Sequence, residues 1–210
     1  MKVSRFFSVV ACAMVLTGCA VPKSQYYSLL PEPHAVNKPV AATEKTAKFA
    51  ISVQPVELPD QVNRPQIVLS QPNSTEVLIL NGSLWAAPLQ NEIRNALADD
   101  LSRQLGVLDL PLGDAPGSLP IWRIDFTVQR FDSVYNQHVM LEATWRLEPR
   151  RQPDKNVRIC RAAVRVAVEP GMQTLVAGHQ QALHRLASVI AAQLQGVSPS
   201  VESVVIKGCT

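Results

Sequence analysis

The chain has 210 residues, of which 47% are apolar and 18% charged. That balance is globular, so disorder along the whole length is excluded, and the size fits one domain with tethers. The formal net charge of +3 is too small to mark a nucleic-acid binder, and no apolar run is long enough for a membrane-spanning helix.

Residues 1–18 read as a secretory signal. Lys2 and Arg5 form a basic start, and Phe6 to Leu16 is an apolar stretch of about ten residues, too short to span a bilayer. Leu16-Thr17-Gly18-Cys19 follows, a small-residue pair before a cysteine that matches a bacterial lipobox. At such a site the thiol takes a diacylglyceryl group, the peptide is cut before the cysteine, and the new amine is acylated. The competing reading is an ordinary signal with an incidental cysteine; basic start, length, spacing and cysteine together favour the lipobox. One acyl chain anchors marginally and two or more anchor stably, at about 0.8 kcal/mol per buried methylene. Ala20 stands where Asp would mark inner-membrane retention. The expectation is therefore a palmitate- and diacylglycerol-bearing lipoprotein of the outer membrane, facing the periplasm.

Residues 19–47 combine the lipidated Cys19 with a tether punctuated by Pro22, Pro31, Pro33 and Pro39. At about 3.1 Å per residue, such a tether would hold a domain tens of ångströms from the bilayer. Tyr26-Tyr27-Ser28-Leu29-Leu30 interrupts it, either as a short docked strand or as a loosely packed loop.

Residues 48–210 read as one domain. Phe49 to Val53, Gln66 to Leu69 and Thr75 to Leu80 are short strands, the last ending at an Asn81-Gly82 turn. Trp85, Leu89, Ile93, Leu97, Leu101 and Leu105 recur every four residues and predict a helix with a broad apolar face. Pro88 suits its first turn, Gly106 its stop, and Asp99, Asp100 and Arg103 its polar side. Three alternating runs follow, centred on 122–128, 139–147 and 161–168, and predict antiparallel strands with one wet face. A second amphipathic helix runs from about Met172 to Gln195, and Val201 to Ile206 supplies an edge strand. The fold class is α+β, a two-layer domain with a mixed, mostly antiparallel sheet covered by two amphipathic helices.

Once the signal leaves with Cys12 and Cys19 carries lipid, Cys160 and Cys209 remain in an oxidising compartment. A disulfide between them closes a loop of about 50 residues, worth roughly 4 kcal/mol by chain entropy. The alternative is two separate buried thiols. No C-x-x-C redox motif, zinc spacing, nucleophile elbow, P-loop or dinucleotide fingerprint occurs, and His34, His138, His179 and His184 share no ligand spacing. The reading is a non-enzymatic protein without cofactor or metal. Arg158, Arg161 and Arg165 could meet an anion or a lipid headgroup, but a solvated face with local ion pairs is preferred. Trp85, Trp122 and Trp145 read as core anchors.

Four ordered segments carry a resemblance: Leu16-Thr17-Gly18-Cys19 followed by Tyr26-Tyr27-Ser28-Leu29; Val56-Glu57-Leu58-Pro59; Arg64-Pro65-Gln66-Ile67-Val68; and Leu84-Trp85-Ala86-Ala87-Pro88-Leu89. Together they resemble the ABC-type transport auxiliary lipoproteins. The resemblance implies a part in lipid traffic and membrane integrity. It implies docking to an MCE-domain (PqiB-like) periplasmic protein of an inner-membrane transport system, and assembly into a homo-oligomeric ring. Arg64 and Pro65, in a proline-punctuated segment between short strands, are the candidate docking residues, with a structural turn as the alternative. A stand-alone lipoprotein binding a small apolar ligand or lipid in its own pocket is the competing function.

Overall fold

The structure, a computed structural model, describes residues 23–30, 48–198 and 201–210. The signal, Cys19 and most of the segment read as tether lie outside the described residues. Period-two alternation builds the main sheet. β5 (Ile121–Val134), β6 (His138–Arg150) and β7 (Arg158–Ala167) form an antiparallel meander, and β8 (Val204–Cys209) pairs antiparallel with β7. β2 (Ala50–Val53) joins the other edge, parallel to β5, giving the order β2-β5-β6-β7-β8. In β7 the alternation places Cys160, Ala162, Val164 and Val166 in the core and Arg161 and Arg165 outside.

The strands divide into two sheets instead of one. The second has three strands in the order β1-β4-β3: β1 (Gln25–Tyr27), β3 (Gln66–Ser70) and β4 (Val77–Trp85). β3 and β4 are antiparallel, whereas β1 runs parallel to β4. Asn81-Gly82 is not the expected turn. β4 continues through it, and the register with β3 jumps between Gln66 and Ile67, so residues 81–83 form a bulge.

Helix α1 (Leu89–Leu105) starts later than the four-residue repeat indicates. Trp85 ends β4, and Pro88 is the residue before the helix, held extended at φ −49° and ψ 129°. Gly106 closes α1 in the left-handed region at φ 66°, its N–H donating to the Ser102 carbonyl. Helix α2 (Met172–Gln195) packs on α1 and on β6 and β7. At Gly178 it comes so close that an added Cβ would collide with Val168. Among the described residues no helix is long and apolar enough to cross a membrane.

Three acidic residues are buried because distant partners meet them. Asp100, expected on the polar side of α1, is buried between the helices; it accepts from Arg103 at 2.6 Å and lies 3.1 Å from His184 Nδ1. Glu142 on β6 accepts from Arg161 Nε at 2.7 Å and from Lys207 Nζ at 2.6 Å. The Lys207 ammonium and then the Arg161 guanidinium, against opposing burial, hold its carboxyl below the ordinary range. Arg165 lies 3.1 Å from His138 Nδ1. Arg161 and Arg165 on β7 are thus occupied by local partners. Trp145 is fully buried and Trp85 and Trp122 nearly so, as core anchors.

Candidate functional site

The third buried acid holds β1 in place. Leu29 just beyond β1 is fully buried, and Glu92 in the first turn of α1 accepts from Ser28 Oγ at 2.7 Å and from the Leu29 amide at 2.8 Å. Gln180 of α2 donates to the Ser28 and Leu30 carbonyls, each at 3.2 Å. Residues 25–30 therefore belong to the domain, the docked-strand alternative for Tyr26 to Leu30. The docked strand starts six residues after Cys19 in sequence.

This docking brings separate segments together. Tyr27 lies opposite Trp85, and the Ala86 amide donates to the Tyr27 carbonyl at 2.7 Å. The Trp85 amide donates to the Pro65 carbonyl at 2.8 Å. The segment before Pro65 is a tight turn: the Val62 and Asn63 amides donate to the Pro59 carbonyl at 3.1 and 3.2 Å, and the Arg64 amide to the Val62 carbonyl at 2.8 Å. Pro59 ends the segment that Glu57 fastens to β5, where the Glu57 amide donates to the Phe126 carbonyl and the Val128 amide to the Glu57 carbonyl. Four stretches spread over more than sixty residues of sequence thus meet at one corner.

At that corner is a cleft of about 370 Å³. Asn63, Arg64 and Pro65 form one wall, and Trp85 to Leu89 form the other. The lining is mostly apolar, with Arg64 as its one charged residue. Arg64 Nε is buried and has no hydrogen-bond partner among the described residues. The start of α1 opens beside it without a side-chain cap, so the positive end of the helix adds to the Arg64 charge. An apolar slot with a cationic rim fits an extended segment that carries an apolar side chain next to a carboxylate or carbonyl oxygen.

Behind the cleft, Trp85 packs edge-on against Phe131 and His179, at 6.1 and 6.4 Å between ring centres. Phe131 and His179 stack at 3.9 Å, and His179 Nε2 lies 2.8 Å from Ser133 Oγ. Burial lowers the His179 pKa to about 3. A serine and a histidine in contact invite a catalytic reading, but both are buried and the other ring nitrogen of His179 meets no orienting carboxylate. The pair supports the floor of the cleft. Among the described residues no group of three or more His, Cys, Asp or Glu is placed to hold a metal.

Of the residues singled out in the sequence, Arg64 and Pro65 line this cleft. Cys160 and Cys209 lie directly opposite one another on β7 and β8 and are joined by a disulfide, with Gln193 Nε2 donating to Cys160 Sγ at 3.2 Å. Cys19 lies outside the described residues. Trp85, Ala86, Ala87 and Pro88 were visible as a motif, but their place in the cleft was not. The four-residue spacing of Trp85 and Leu89 imitates a helix and hides the strand end that turns Trp85 inward.

Comparison with known proteins follows this corner. The chain is 30% identical over 149 residues to the intermembrane transport lipoprotein PqiC of Escherichia coli K12, covering 69% of this chain and 74% of that one. PqiC of Shigella flexneri matches with the same figures. Two crystal structures share the fold. One is of an uncharacterized protein, with TM-score 0.58, 21% identity and coverage of 82% of this chain and 99% of that one. The other is of a Xanthomonas campestris protein, with TM-score 0.54, 15% identity and coverage of 70% and 83%. The family signature of the ABC-type transport auxiliary lipoprotein component matches residues 27–191, from the docked strand through the cleft into α2. The chain belongs to the ABC-type transport auxiliary lipoproteins.

Proposed function

We propose that this chain is a non-enzymatic lipoprotein component of an intermembrane lipid transport system. It is anchored through acylated Cys19 in the periplasmic face of the outer membrane, and it docks an MCE-domain (PqiB-like) protein that reaches across the periplasm. The PqiC likeness supports the intermembrane role, and the lipobox sequence supports the anchor. Residues 1–18 act as the signal peptide, and the same reading includes several copies assembled as a ring.

The observation that carries the docking role is the cleft at Arg64 and Pro65. Its walls come from the segments that carry the family resemblance, and its buried Arg64 Nε lacks a partner among the described residues. A partner segment that brings an oxygen to this nitrogen removes an unpaired buried donor, which is costly when left unmet. A photoreactive amino acid at Pro65 or Ala87, in intact envelopes, is expected to capture an MCE-domain protein. The same probe at Val205, exposed on β8, should not. Equal capture from all three positions, or none from the cleft, overturns the docking site. Fractionation of the same envelopes on a sucrose gradient is expected to place the captured complex with outer membrane.

A further inference from the structure

The β3–β4 hairpin leaves an apolar patch uncovered. Residues 71–79 are all exposed, and Val77, Leu78 and Ile79 show 42%, 49% and 38% of their surface to solvent. The facing strand is different: Ile67, Val68 and Leu69 of β3 are buried. β1 covers β4 only from Ser83 to Trp85, so residues 77–82 keep an open edge on that side. Consecutive bare apolar residues on an open strand mark a contact surface.

The length of chain before β1 indicates what covers the patch. β1 and β4 are parallel, with Gln25 opposite Ser83. Followed back towards the N-terminus, both strands therefore leave this pair in the same direction: β4 towards Val77 and the hairpin turn, β1 towards Cys19. Val77 precedes Ser83 by six residues, and Cys19 precedes Gln25 by six. Six residues span at most about 20 Å. From Lys23, the first described residue, the reach to Cys19 is at most about 14 Å. Acyl chains on Cys19 thus hold the bilayer surface within about 14 Å of Lys23, which precedes the strand paired with β4.

We propose that Val77, Leu78 and Ile79 rest in the interface of the bilayer that receives the Cys19 acyl chains, so that the protein contacts its membrane twice. The inference rests on the lipid attachment proposed above. The turn before the patch has one charged residue, Glu76, and is otherwise Gln, Pro, Asn, Ser and Thr, polar groups that hydrogen-bond in a hydrated layer. The hairpin then lies obliquely, with its polar turn among headgroups and its apolar strand at the acyl boundary. Acyl chains alone leave a domain free to swivel. A second contact orients it, and the cleft at Arg64 and Pro65, at the far end of the same hairpin, then points away from the membrane towards an arriving partner.

The full-length lipidated chain in phosphatidylethanolamine/phosphatidylglycerol vesicles provides the test. Cys19 is acylated and Cys160 and Cys209 are bonded, so Leu78→Cys adds a single free thiol for an environment-sensitive nitrobenzoxadiazole label. Ile79→Cys is a second position in case the first disturbs the hairpin, and Leu108→Cys, exposed in the loop after α1, is the control. Labels at 78 or 79 are expected to shift to the blue and to be quenched by doxyl-labelled lipids at least twofold more than the label at 108. Quenching equal to that at 108 overturns the inference. A blue shift that doxyl lipids leave unquenched also overturns it and assigns the patch to a protein contact. Mass spectrometry of the same samples separates the two failures. An acylated Cys19 with an unquenched hairpin removes the membrane contact alone, whereas an unacylated N-terminus removes the anchor and the contact with it.

Discussion

His179 is fully buried, and it remains neutral because burial lowers its pKa from 6.5 to about 3. Ser133 satisfies one ring nitrogen, Phe131 stacks on the ring, and the other nitrogen has no partner among the described residues. The unfolded chain takes up a proton at this histidine below pH 6.5, while the folded chain does not until about pH 3. Stability therefore falls as pH drops through that window and is unaffected by this group above it. At pH 5 the loss from this residue is about 2 kcal/mol. Urea unfolding at pH 7.5 and pH 5.0 is expected to show His179→Gln losing about 2 kcal/mol less between the two conditions than the parent chain. Equal losses would show that the acid sensitivity lies elsewhere.

At the level of elements, β1 needs explanation, since a three-residue strand is too short to hold itself on a sheet. Its hold comes from the buried Leu29 and from the Glu92 carboxylate, which takes two donors from Ser28 and Leu29. Glu92→Ala leaves the Leu29 amide buried and unpaired, a cost of about 1–3 kcal/mol that falls on β1. Amide hydrogen exchange over residues 25–29 is expected to quicken about 10-fold or more, while β5 and β6 stay protected. Uniform quickening would place Glu92 in the global core instead. The long strands β5 to β7 were legible from alternation because each has one buried and one wet face. α1 and α2 were legible from their apolar repeats. The parallel pairing of β1 with β4 was not, because its two partners are separated by nearly sixty residues and no local pattern reports such a pairing. For the same reason Asp100 read as a polar-side residue: the His184 that meets it lies far away in sequence. Asn81-Gly82 misled in the opposite sense, because turn chemistry also serves a bulge. The cleft was legible as a set of motifs and illegible as a place.

Across the whole molecule, the cleft and the disulfide belong to different sheets. The cleft belongs to the small sheet and the start of α1, whereas the Cys160–Cys209 bond fastens β8, the outer strand of the large sheet, to β7. The bonded residues are 49 apart, and the loop between them contains all of α2, which covers β6 and β7. β8 itself is mostly exposed, so burial holds it weakly. Besides its ladder with β7, it is tied by Lys207 to Glu142, and the Thr210 amide just beyond it donates to the Ile159 carbonyl at 2.9 Å. The bond therefore acts mainly by restricting the unfolded chain, with a contribution of about 2–4 kcal/mol. For a domain of this size that corresponds to a melting temperature roughly 5–15 °C lower when Cys160 and Cys209 are both replaced by alanine. The same variant should still crosslink through Pro65 at growth temperature, because no residue of the cleft lies in the closed loop. A melting temperature within about 2 °C of the parent would show that β8 and α2 hold without the bond. Lost crosslinking in a variant that remains folded would show that the two sheets are coupled.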